Sequence, residues 1–202
     1  MLIDPADISP RDMYLHMVRA ITPRPIAWVS TISAEGVANL APYSFFNGVS
    51  ANPPSVVFSP VNRRDGSKKD TVLNIEATRE FVVNVVPHQL AEAMNATSAT
   101  FAPELSEFAE CGLTPIDSQR VRAPRLAESP IQMECTLLQI VHIGEGPLAA
   151  NLIIGKIELM HVADDILDGE GQIDPAKIDT IGRLGGASYT TTRERFDMPR
   201  LK

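Results

Sequence analysis

The segment 131–143, the turn Gly144-Glu145-Gly146-Pro147 and the segment 152–162 constrain this chain more than any other feature. Along the first arm Met133, Cys135 and Leu137 fall on one face by period two. Gln132, Glu134 and Thr136 fall on the other. That alternation is the signature of a strand, and a short Gly-Pro turn joins it to an apolar second arm. A hairpin of this length needs an antiparallel sheet around it. The sequence supplies further strands at 26–33, at 37–46 with Pro42 inside it, at 55–59 and at 80–86. A proline inside a strand is confined to an edge or a bulge, so the second of these is an edge or a bulged strand. Neighbouring strands, short turns and no regular strand–helix alternation predict an antiparallel sheet closed into a barrel. A doubly wound fold is the alternative.

The helices are peripheral. Ser9-Pro10-Arg11-Asp12 reads as a capped start of a helix reaching Ala20, with Ser as cap and Pro in the first turn. Asp70 or Thr71 caps a short helix to about Ala77, and Pro87 opens another. Residues 95–130 read as irregular, with a short helix at 104–110. A helical turn is expected at 175–181, and the tail beyond Tyr189 is expected to be a polar arm. At 202 residues the chain is one domain's worth of sequence, with a core at about 20–165 and a C-terminal arm at about 183–202.

Composition excludes several function classes. Lys plus Arg is 18 and Asp plus Glu is 25, a net charge of −7. Recognition of a phosphate backbone leans on net basic surface, so no nucleic-acid partner is expected. No apolar run approaches the ~20 residues that span a bilayer, so no membrane partner is expected either. The N-terminus lacks the pattern of a signal peptide. Cys111 and Cys135 form no metal-type pair, and a reduced, cytoplasmic setting is the natural reading. Of the four histidines, His142 and His161 lie on neighbouring predicted strands and could meet, but none has zinc-like spacing. No metal site and no catalytic acid–base residue is assigned. There is no GxGxxG, P-loop or GxSxG pattern.

Four segments carry chemistry. Arg63-Arg64-Asp65-Gly66-Ser67-Lys68-Lys69-Asp70-Thr71 places four cations ahead of a helix start. A phosphate wants that combination of cationic donors and free helical N–H groups, although a solvated loop has the same composition. This stretch carries +2, which leaves −9 on the remainder. One small phosphate suits a loop of that size. The stretch 39–54, from Asn39 through Ser44-Phe45-Phe46-Asn47 to Asn52-Pro53-Pro54, offers backbone donors and acceptors beside an apolar wall. A flat heteroaromatic ring needs such an edge; the two phenylalanines serve equally well as core. Arg24 and Trp28 follow two prolines and could line a cleft. Arg183-Leu184-Gly185-Gly186 permits close backbone approach.

Taken in order, PRPIAWVST (23–31), NLAPYSFFNGVSANPPSVVFS (39–59), KDT (69–71), EFVVNVV (80–86) and RLGG with Tyr189 resemble the flavin reductase-like family of FMN-binding split-barrel proteins. The resemblance covers most of residues 20–190. It departs at Asn52-Pro53-Pro54, where the family commonly has Asp-Pro-Pro. It implies a mainly β, six-stranded Greek-key split β-barrel with a few peripheral helices. It implies a homodimer with FMN near the subunit interface, and hydride transfer between NADH or NADPH and the flavin. An electron-accepting partner such as a monooxygenase is a further implication. Carried over by position, Lys69, Asp70 and Thr71 would hold the phosphate. Ser44, Phe45, Phe46 and Asn47 would contact the ring, with Ser30 and Thr31 close by and Ser59 opening the loop beneath it. Arg24 is a candidate stabiliser of charge on the ring, and Arg183 sits in the C-terminal motif. Two other readings stand beside this one: an FMN-binding electron carrier without NAD(P)H turnover, and a flavin-free interaction module.

Overall fold

The computed structural model describes residues 1–200. Helix α1 (Pro10–Ala20) starts as the sequence predicts: the Ser9 side chain accepts from the Asp12 N–H. Strands β1 (Ala27–Ile32), β2 (Ala38–Tyr43), β3 (Phe46–Ala51) and β4 (Pro54–Phe58) follow, then α2 (Asp70–Thr78) and β5 (Glu80–Asn84). A 3₁₀ turn at His88–Leu90 leads into α3 (Ala91–Ala96), and α4 (Glu107–Glu110) precedes a small hairpin, β6 (Pro115–Ile116) and β7 (Arg125–Leu126). The long hairpin is β8 (Ile131–Ile143) and β9 (Ala150–Val162). After a 3₁₀ turn at Asp164–Ile166, helix α5 (Pro175–Ile178) and a final hairpin complete the described residues. That hairpin is β10 (Ile181–Arg183) with β11 (Tyr189–Thr191).

The protein is mainly β. One seven-stranded antiparallel sheet runs in the order β2-β1-β5-β8-β9-β4-β3. Its two edge strands, β2 and β3, are consecutive in the chain and separated only by Ser44 and Phe45. The sheet therefore curls until its ends meet through the chain rather than through a ladder, which makes it a split barrel. Curling brings Tyr43 of β2 to Phe58 of β4, with ring centroids 5.4 Å apart. The expected count of six strands becomes seven because the 37–46 segment breaks at Ser44. Phe46 starts a separate edge strand whose Asn47, Gly48, Val49 and Ser50 are exposed. Pro42 sits on edge strand β2 opposite Trp28, where its missing N–H is harmless.

The barrel interior holds Val29, Phe58, Val72, Ile75, Phe81, Val83, Met133, Cys135 and Leu137. Gly155 belongs to the same packing. A Cβ there would lie 2.2 Å from the Phe81 ring, so only glycine lets that ring cross β9. The opposite face of β8 is not solvated over its first residues. Glu134 and Gln132 are buried, and the Glu134 carboxylate accepts from the N–H groups of Gln119 and Arg120. The segment 115–126, which reads as irregular in the sequence, is what covers them. His142 and His161 do not meet: register pairs them with Asn151 and Gln132, at opposite ends of the hairpin. Residues 181–191 are not a free arm. Backbone hydrogen bonds join Arg183 to Arg24 in both directions.

Candidate functional site

Helix α2 lies across β1 and β2, and its N-terminus faces a groove. Lys69 occupies the cap position without a side-chain cap bond, so the first-turn N–H groups of Asp70 and Thr71 await an acceptor from outside. Arg63 closes on this point through a 2.6 Å ion pair with Asp70. The Lys69 ammonium stands 5.4 Å over the Tyr43 ring. Burial, then the neighbouring Arg63, lowers the Lys69 pKa from its ordinary value. An anion arriving here would offset both effects by stabilising the charged ammonium. The four cations of the loop are not equivalent. Lys68 turns away to pair with Glu76, and Arg64 is exposed, so Arg63 and Lys69 remain at the groove.

The groove has two lobes, of about 110 and 200 Å³. Pro42, Tyr43 and Ser98 line both. Asn39, Arg63, Lys69, Asp70 and Thr71 line the first. Tyr14, Ser44, Arg183 and Tyr189 line the second. The arrangement runs from a cationic helix start, along the edge of β2, to a platform where the Arg183 guanidinium lies 4.4 Å over the Tyr189 ring. Together the lobes sit at the low end of the ~300–1,000 Å³ typical of ligand sites.

The other expected residues divide. Phe45 stands beside the second lobe, edge-on to Tyr14 at 6.2 Å and under Arg24 at 5.8 Å. Phe46 turns the other way, against the barrel core and a separate apolar pocket. Ser59 donates its N–H to the Phe45 carbonyl, holding the loop beneath. Asn47 is exposed, with its Oδ1 accepting from the Gly48 N–H. Arg24 is buried and commits four of its five N–H donors. It donates to the carbonyls of Val18, Ile21 and Leu184 at 2.6, 2.7 and 3.1 Å and to Ser44 Oγ at 3.3 Å. Its route to any ligand therefore runs through Ser44 and Phe45. Ser30 lies behind the groove, donating to the Pro124 carbonyl and accepting from Asn84.

Thr31 and Thr71 belong to a buried network that sequence reading does not reveal. The Tyr43 hydroxyl donates to Thr71 Oγ1 at 2.9 Å, and Thr71 donates to Asn39 Oδ1 at 2.8 Å. Thr31 donates to the same oxygen at 3.3 Å, and Asn39 Nδ2 donates to Glu107 at 2.6 Å. The Thr71 hydroxyl thus faces inward. Only its backbone N–H is directed at the groove. Among the described residues no cluster of three His, Cys, Asp or Glu could hold a metal ion, and no helix is long and apolar enough to cross a membrane.

The curled antiparallel sheet, with a cationic helix start beside its edge strand, places the chain among the split-barrel β proteins. Within that class the flavin reductase like domain matches residues 17–176. The chain belongs to this family, and membership supports a flavin-related oxidoreductase function. A protein of Aquifex aeolicus is 43% identical over 177 residues, 88% of each chain. The crystal structure of nitrilotriacetate monooxygenase component B from Bacillus cereus superposes with a TM-score of 0.92 at 37% identity, covering 98% of both chains. The 2-nitrobenzoate 2-nitroreductase NbaA of Pseudomonas fluorescens gives 0.89 at 29% identity, covering 100% of this chain and 96% of that one.

Proposed function

We propose that this chain is an NAD(P)H-dependent flavin reductase that holds FMN in the two-lobed groove. The observation that carries this reading is that the cavity at the α2 N-terminus and the cavity at Ser44 share Pro42, Tyr43 and Ser98 as lining. A phosphate fits the first lobe, where Arg63, the Lys69 ammonium and the N–H groups of Asp70 and Thr71 converge. A planar ring fits the second, against Ser44 with Tyr14 and Tyr189 as walls and Phe45 packed edge-on behind Tyr14. Bound there, FMN supplies a site that accepts hydride from the nicotinamide of NADH or NADPH. The chain's residues supply position and charge. Arg24 fixes Ser44 and, through its stack on Phe45, the edge on which the ring rests. No side chain is assigned as a general base: Asp70 is ion-paired and Glu107 is hydrogen-bonded inward.

The modest groove volume supports a homodimer in which a second subunit supplies the missing wall near the flavin. The whole of 1–202 forms one functional domain in this reading. The free thiols Cys111 and Cys135 suit a cytoplasmic setting. One similar structure is a monooxygenase component, which supports an electron-accepting partner of that kind.

The phosphate assignment is tested by Lys69→Ala. A charge-assisted hydrogen bond is worth about 1.5–3 kcal/mol, so FMN affinity should fall about 10–150-fold. Riboflavin lacks the phosphate and should bind the variant as it binds the parent. Equal losses for both ligands would overturn the assignment.

A further inference from the structure

We propose that Glu107 is a positioning residue for the phosphate end of the groove: through Asn39 it anchors Thr71 and so aims the first turn of α2. This rests on the FMN reading above. Glu107 opens the short helix α4 and is only 6% exposed. Among the described residues it has no cationic partner within ion-pair distance. Its two oxygens are instead committed to the same strand. Oε1 accepts from Asn39 Nδ2 at 2.6 Å and Oε2 from the Leu40 N–H at 2.9 Å.

The order of protons along this network follows from donor chemistry. Both Glu107 oxygens accept, so Asn39 turns its NH₂ toward Glu107 and its Oδ1 away. Asn39 Oδ1 also only accepts, so Thr71 and Thr31 must both give it their hydroxyl protons. Thr31 in turn accepts from Asn74 Nδ2 at 3.0 Å, which ties the network to the middle of α2. Thr71 can then only accept from Tyr43. One buried carboxylate thereby fixes every member, and the Thr71 side chain becomes a tether with no proton to offer the groove. With Lys69 contributing no cap bond, this tether joins the Arg63–Asp70 ion pair in holding the N–H groups of Asp70 and Thr71 in place.

Glu107→Gln removes the rule while keeping the shape. If the new amide oxygen retains the Leu40 N–H, its NH₂ faces Asn39 and forces that amide to turn over. Asn39 then presents a donor to Thr71, and the Thr31 proton loses its acceptor. The test measures dissociation constants of the full chain for FMN and riboflavin. The expected result is an FMN affinity about tenfold lower relative to riboflavin, the scale of one buried hydrogen bond. Thr71→Val should reproduce that selective loss, and the double variant should lose no more than either single one, because both act through the same tether. Glu107→Asp, which withdraws both oxygens, should show the same selectivity if Glu107→Gln fails to fold. Equal losses for the two ligands, or losses that multiply in the double variant, would overturn the inference. A parent protein that does not distinguish FMN from riboflavin overturns the FMN reading and this inference with it. A parent that does distinguish them, with Glu107→Gln unchanged, overturns this inference alone.

Discussion

Replacing Arg24 by Lys keeps the positive charge and removes the fork, which separates a clamp from a ligand contact. The guanidinium ties three pieces of chain: the end of α1 through Val18 and Ile21, the edge loop through Ser44, and the C-terminal segment through Leu184. A lysine ammonium can replace at most the pair of bonds made by Nη1, at 2.6 and 2.7 Å. The Nε and Nη2 bonds are lost, and the Leu184 carbonyl is left without that donor. Net values of about 0.5–1.5 kcal/mol per hydrogen bond give a destabilisation of about 1–3 kcal/mol. In a domain of this size each kcal/mol lowers Tm by roughly 2–4 °C. Urea unfolding followed by Trp28 fluorescence measures it well. Trp28 is the one tryptophan in the chain, fully buried and hydrogen-bonded to Thr97. Flavin affinity should fall in the same variant, because Ser44 and Phe45 lose their brace. An unchanged unfolding midpoint combined with weakened flavin binding would refute the clamp and make Arg24 a direct ligand contact.

Two further outcomes follow from packing and charge. Gly155→Ala sets a methyl 2.2 Å from the buried Phe81 ring and should destabilise the barrel by about 1–3 kcal/mol in denaturant unfolding, with Phe81→Leu in the same chain recovering part of the loss. Burial alone would raise the Glu134 pKa, but the Gln119 N–H, the His161 imidazole and the Arg120 N–H outweigh it and hold the carboxyl below its ordinary value. Its contribution to stability is therefore present above the unfolded-state pKa and is lost as pH falls through the lower folded value. Glu134→Gln should flatten that acid limb in a pH series of unfolding midpoints; an unaltered limb would contradict it.

What the sequence reveals and what it hides follow from the range of the interactions involved. The β8–β9 hairpin is legible because period-two alternation and a Gly-Pro turn are local signals, and the structure forms it with β9 beginning two residues earlier than read. Strand β3 is not legible. Asn47, Gly48 and Ser50 make no apolar face, because an exposed edge strand has no second layer to pack against. The basic loop reads as cationic as a whole, yet which of its cations face the groove depends on Glu76 and Asp70 as partners. The burial of Ser30 depends on the Pro124 carbonyl, 94 residues away in the chain. Glu107 lies in a stretch whose prolines obscure any period. Nothing local announces that its carboxylate will reach Asn39, 68 residues back.

The most direct test is the visible spectrum of the purified full-length chain with one equivalent of FMN, recorded without oxygen before and after adding NADH or NADPH. The expected result is a flavin band shifted from that of free FMN, which bleaches when a nicotinamide is added. A spectrum identical to free FMN, or a bound flavin that neither nicotinamide bleaches, would contradict the proposed reductase.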